Sequence, residues 1–96
     1  MPQGNGRWQL RGQLDMDNVG RLLQASRPLL FADGAAELEL DLAAVEHTDS
    51  AGLALLVEWL RAARHNDRRI RFRGMPAQMR AMAEVSGLDR ILPLVD

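Results

Sequence analysis

Residues 38–60, LELDLAAVEHTDSAGLALLVEWL, hold an apolar strand, a short polar elbow and an unusually apolar helix in about a quarter of the chain. Ala36, Leu38, Leu40 and Leu42 alternate with Glu37, Glu39 and Asp41, the two-residue period of a strand with one buried face. Thr48, Asp49, Ser50, Ala51 and Gly52 then form the elbow, and Ser50–His65 reads as a helix with Asp49 as its N-cap. A hydroxyl where a strand hands over to a helix start sits beside unpaired backbone N–H groups and the positive end of the helix dipole. It can serve there as a phosphorylation or docking point.

Working outward, Trp8, Leu10 and Leu14 alternate with Arg11 and Gln13, which predicts an earlier strand. Asp15 and Asp17 precede Val19, Leu22, Leu23, Ser26 and Leu30, spaced as one face of a helix with an Asp cap. Pro28 lacks the N–H that would bond residue 24, so the regular helix is expected to kink or end near Arg27. Ile70 and Phe72 alternate with Arg69, Arg71 and Arg73 in a third strand ended by Gly74. Pro76 opens a last helix bearing Met79, Met82, Ala83 and Ser86 on one face, with Gly87 as its stop. Leu88, Ile91, Leu92 and Leu94 read as a closing apolar segment. The alternation of strands and helices predicts one α/β domain over residues 1–96, a mixed, mostly parallel sheet of about four strands layered with helices. Residues 1–6 are expected to be disordered or to form a reduced first strand.

The central helix has two apolar faces. At 100° per residue, Leu53, Leu56, Val57, Leu60 and Ala63 share the arc that must press on the sheet, while Ala51, Leu55, Trp59 and Ala62 fall opposite. Glu58, Arg61 and His65 alone interrupt that second surface. Either another segment of the chain covers Leu55 and Trp59, or a partner does. A Trp beside a Leu and two small residues has the make-up of a binding hot spot, which favours the partner.

Composition narrows the function. The 96 residues carry a net charge of −1, which removes the general attraction to phosphate backbones that nucleic-acid binders use. All basic residues are Arg, and the absence of Cys excludes disulfides, thiol chemistry and Cys-ligated zinc. No apolar run reaches the ~18 residues of a membrane span, and the first residues lack a secretory pattern, so any work at a membrane is expected to pass through another subunit. His47 and His65 have no metal-ligand spacing. Ser50, His47 and Asp49 could be written as a triad, but neighbouring elbow positions do not line up base and orienter behind a nucleophile. Neither enzymatic activity nor a cofactor is expected. Arg68, Arg69, Arg71 and Arg73 could bind phosphate, an acidic partner or lipid headgroups, although a strand with one solvated face gives the same pattern and is favoured.

The elbow HTDSAGLALL, following an apolar strand with Asp41-Leu42, resembles the STAS domain shared by anti-sigma-factor antagonists and sulfate-transporter tails. Gly12-Gln13-Leu14-Asp15 is similar to that family's G-E-L-D turn with Gln13 in place of Glu, and residues 86–92, SGLDRIL, resemble its closing segment. Asp49, Ser50, Ala51, Gly52 and Leu53 match the D-S-x-G-L of the antagonists, whose serine is phosphorylated by a partner kinase. By resemblance Ser50 is therefore a candidate phospho-acceptor, where phosphate would add about −1.5 to −2 charge beside Asp49. The plainer reading of Ser50 is a residue favoured at helix starts.

The run GLALLVEWL and the last helix further resemble the MlaB-type STAS subunits of phospholipid ABC transporters, which maintain outer-membrane lipid asymmetry. That resemblance implies a non-enzymatic accessory subunit. Its expected partners are a cytoplasmic MlaF-like ATPase and, through it, a membrane permease, with no direct membrane insertion and no nucleic acid. The expected location is cytoplasmic, peripheral to the inner membrane. The implied interface is Thr48, Asp49, Ser50, Ala51, Ala54, Leu55, Glu58, Trp59 and Ala62. An anti-sigma-factor antagonist regulated through Ser50 is the alternative.

Overall fold

Two alternating runs of leucines and charges set the sheet. Leu38, Leu40 and Leu42 are buried on one side of a long strand, and Ile70 and Phe72 continue the same side on its neighbour. The computed structural model of the protein describes residues 2–4, 6–30 and 36–95. In chain order these form β1 (Pro2–Gly4), β2 (Arg7–Leu14), α1 (Val19–Leu30), β3 (Glu37–Thr48), α2 (Ser50–His65), β4 (Arg69–Arg73), α3 (Ala77–Ser86), a 3-10 turn (Leu88–Arg90) and β5 (Leu94–Val95). The sheet order is β1-β2-β3-β4-β5. β1 joins antiparallel and the other four strands run parallel, the α/β architecture the sequence predicts with a three-residue strand added at one edge. The positions Met1 and Asn5 of that reduced first strand lie outside the described residues.

The opposite face of the sheet is an ion-pair lattice. Register sets Arg7 opposite Glu39 and Glu39 opposite Arg71. Glu39 lies 4.0 Å from Arg7, 3.6 Å from Arg71 and 3.3 Å from Arg73, while Arg69 sits 3.9 Å from Glu37. The arginine-rich strand is thus the solvated face of the sheet, as the alternation favoured.

β3 runs on past Leu42, where its leucine alternation stops. Its register against β2 shifts twice, between Gln9 and Arg11 and between Gly12 and Gln13. Each extra residue reverses which side chains face the core. Burial accordingly moves from Leu42 to Val45 and then to Thr48.

α1 also exceeds its expected end, continuing through Pro28 to Leu30. The missing N–H falls in the last turn and costs one helical bond, to the carbonyl of exposed Gln24, where water can take the donor's place. Val19, Leu22 and Leu23 pack against the core as expected, and the side chain of Leu30 lies outside the described residues. α3 follows Pro76 and ends at Gly87, whose φ of 77° is the left-handed stop that favours glycine. In the closing segment Leu92 is buried, but Ile91 is 52% exposed because the 3-10 turn rotates it away from the sheet.

α1 lies on α2, and this contact corrects the central expectation. Leu55 and Trp59 are 3% and 1% exposed. The indole Nε1–H of Trp59 donates to Ser26 Oγ at 2.7 Å, and Ser26 Oγ donates to Leu23 O at 3.1 Å. The second apolar face of α2 is therefore internal: one stripe meets the sheet and the other meets α1. Each buried side chain of this size contributes about 1.5–3 kcal/mol.

Candidate functional site

Leu14 and Thr48 end the paired strands β2 and β3 side by side. The Leu14 carbonyl accepts from Thr48 Oγ1 at 2.9 Å and from Asp49 N–H at 3.2 Å. Asp49 then caps α2: its Oδ1 accepts from the N–H groups of Ala51 at 2.9 Å and Gly52 at 3.3 Å. Its Oδ2 accepts from Met16 N–H at 3.2 Å, so one carboxylate joins the helix start to the loop after β2. Gly52 is needed for this approach, since a Cβ there would land on Thr48 Oγ1 and come within 2.8 Å of Leu14 O.

The loop is equally fixed. Asp15 Oδ1 accepts from Asp17 N–H at 3.0 Å, and the Asp15 carbonyl accepts from Asn18 N–H at 3.1 Å and Val19 N–H at 3.0 Å. Asn18 returns the contact through its side chain, accepting from Asp15 N–H at 3.0 Å and donating to Gln13 O at 2.7 Å. Met16 projects from this frame 77% exposed.

Ser50, the first residue of α2, is exposed, and its hydroxyl takes no part in the elbow's hydrogen bonds. Behind it, half-buried Ala51, exposed Ala54 and half-buried Glu58 line an apolar groove of about 160 Å³ with Val19, Gly20 and Leu23 of α1. Glu58 is paired with Arg61 at 3.3 Å, and Ala62 is half-buried further along. Asp49, Ser50, Ala51, Ala54 and Glu58 are thus brought together on one end of the molecule.

Three other interface candidates are not available to a partner. Thr48 is 4% exposed with its hydroxyl bonded inside the elbow, Trp59 lies beneath α1, and Leu55, 3% exposed, only floors the groove between the two helices. In their place the surface offers Met16 and the α1 residues facing the groove. The sequence signal for Met16 was an apolar residue isolated in the polar run Asp15-Met16-Asp17-Asn18.

The remaining constellations have plain positions. His47 is the last residue but one of β3 and His65 closes α2, so the sixteen-residue helix separates them by roughly 24 Å. The Asp49 carboxylate is occupied by three backbone N–H groups and does not orient an imidazole. Among the described residues no helix is long and apolar enough to cross a membrane.

Comparison with known proteins agrees with this geometry. The family model described as "Mlab, STAS domain" matches residues 3–96. The anti-sigma-B factor antagonist of Staphylococcus aureus (strain NCTC 8325 / PS 47) is 30% identical over 81 residues, covering 84% of this chain and 74% of that protein. An anti-sigma factor antagonist from Mycobacterium paratuberculosis superposes with a TM-score of 0.74 at 26% identity, covering 97% of this chain and 80% of that one. A candidate antagonist from Thermotoga maritima gives a TM-score of 0.76 over 90% of this chain and 74% of the other; at 21% identity it speaks to the fold alone. With the D-S-x-G-L elbow seated at the start of α2 and the family model spanning nearly all of the sequence, the chain belongs to the STAS domain family.

Proposed function

We propose that this domain is a non-enzymatic regulator that binds a protein partner through the Ser50 end of α2, and that phosphorylation of Ser50 releases the partner. The observation that carries this reading is an exposed hydroxyl at the first position of a helix whose start is locked by Asp49. The names of the Staphylococcus and Mycobacterium relatives support an antagonist of an anti-sigma factor as the type of regulator. A phosphate on Ser50 would meet the helix dipole favourably, so the fold would tolerate it. It would also place a second negative group beside Asp49 and add charge next to the apolar contacts that Met16, Ala51 and Ala54 offer. Intact-mass measurement with site mapping on protein isolated from its own cells tests the proposal. A substantial fraction phosphorylated at Ser50 is expected, and an unmodified Ser50 under every growth condition would count against it.

A second reading draws support from the match of residues 3–96 to the Mlab-type STAS family: an accessory subunit of a phospholipid ABC transporter, docked on its cytoplasmic ATPase. Its original physical motive, an outward Trp59, is gone, which leaves Ser50, Ala51, Ala54, Glu58 and Ala62 as the contact. Co-purification of a transporter ATPase at fixed stoichiometry would favour this reading.

A further inference from the structure

A second concavity lies at the other end of α2, roughly 20 Å from Ser50 by the helix rise. Arg64, Arg68, Arg69 and Arg71 surround it, and Leu60, Ile70 and Pro93 give it an apolar floor. Among the described residues, Glu37 is the single acid in its wall. The concavity is open to solvent on one side and holds about 380 Å³, within the range of small-molecule sites. A third of the arginines of a chain with net charge −1 gather at this one place.

The backbone prepares the site. Asp67, at φ 57°, reverses the chain between α2 and β4, and Arg68 N–H donates to Ala63 O at 2.8 Å to pin the reversal. The negative end of α2 is already capped, because Asn66 N–H reaches Ala62 O and Ala63 O at 3.1 Å and Asp67 N–H reaches Arg64 O at 3.1 Å. β4 adds a donor. Its N–H groups alternate between neighbours: Arg69 donates to Ala36 O, whereas Phe72 and Gly74 donate to Pro93 O and Val95 O on the β5 side. Ile70 has the β5 parity, yet β5 pairs only with Phe72 and Arg73. The Ile70 N–H therefore points to an edge that β5 leaves uncovered, beside the arginines.

We propose that this cavity binds a small phosphate monoester whose flat apolar body rests on Leu60, Ile70 and Pro93. Guanidinium forks suit a phosphate dianion bidentately. Arg64 lines the cavity from α2, while Arg69 and Arg71 reach its rim from the sheet's open face, where they lie 3.9 Å from Glu37 and 3.6 Å from the half-buried Glu39. The phosphate can come from a soluble metabolite or from a lipid headgroup, and the site is separate from the partner surface at Ser50.

The test titrates the whole chain with 1-naphthyl phosphate, followed by amide NMR, with inorganic phosphate as the bodiless control. Saturable shifts confined to Arg64, Arg68, Ile70 and their neighbours are expected. Arg64→Glu and the milder Arg64→Gln should weaken binding by roughly tenfold or more, while Arg61→Gln on the same helix should leave it unchanged. Parallel sedimentation uses phosphatidylcholine vesicles with and without phosphatidic acid. Arg64-dependent capture by the acidic vesicles supports the site with a headgroup as its source, and binding of the soluble probe alone supports it with a metabolite. The proposal is overturned if neither probe binds, if Arg61→Gln weakens binding as much as the Arg64 variants, or if inorganic phosphate binds as tightly as the naphthyl ester.

Discussion

Replacing Trp59 by Phe separates a covered helix face from an outward one. Trp59 is the largest fully buried side chain, 1% exposed, and its only polar atom is satisfied by Ser26 Oγ at 2.7 Å. Phe keeps one ring but removes the indole donor and leaves a small void under α1. The lost contacts and residual void cost about 1–2 kcal/mol, and the lost hydrogen bond about 1 kcal/mol. The sum, about 2–3 kcal/mol, corresponds to a Tm lowered by roughly 8–24 °C for a domain of this size. Ser26→Ala alone should cost about 1–2 kcal/mol by stranding the indole N–H. The two changes should couple by about 1 kcal/mol in a double-mutant cycle. Urea unfolding followed by far-ultraviolet circular dichroism gives these values. Acrylamide quenching in a Trp8→Phe background reports on Trp59 directly. A cost under about 0.5 kcal/mol together with a freely quenched indole would refute the reasoning, because both demand a solvated ring.

Gly52→Ala should destabilise the domain by about 1–3 kcal/mol in the same assay, since its Cβ would collide with Thr48 Oγ1 and the Leu14 carbonyl. Asp49→Ala removes the acceptor of three N–H groups and should cost about 1–2 kcal/mol, with faster hydrogen exchange at Met16, Ala51 and Gly52. Glu39→Gln takes away the charge at the hub of the sheet's open face. Because its arginine partners are about half exposed or more, the expected loss is at most about 1 kcal/mol and should shrink at high salt.

Much of the fold was legible in local pattern. Asp49 caps α2 over the span Ser50–His65 that periodicity marks, and Gly87 stops α3 in the left-handed conformation expected of it. β3 was harder to read, because its two register shifts reverse side-chain parity twice and erase the alternation beyond Leu42. The larger error concerned Leu55 and Trp59. A helical wheel shows that α2 is apolar on both sides but not which element covers each side, and that information resides in tertiary packing. One signal did exist. Ser26 is a hydroxyl on the otherwise apolar face of α1, where it serves as the acceptor a buried indole requires. Ser50 was identified correctly as an elbow residue, whereas Thr48, two positions earlier, turned out to be part of the frame that holds it.

The account rests most heavily on Ser50 as the residue that decides whether a partner stays bound. Ser50→Asp places a carboxylate in the first turn of α2, where the dipole favours it, so the variant should fold at least as stably as the original. Affinity capture from the native cells should then retain the same stoichiometric partner with the original chain and with Ser50→Ala, and lose most of it with Ser50→Asp. Equal recovery of that partner by all three proteins, each with an intact unfolding transition, would contradict the central claim.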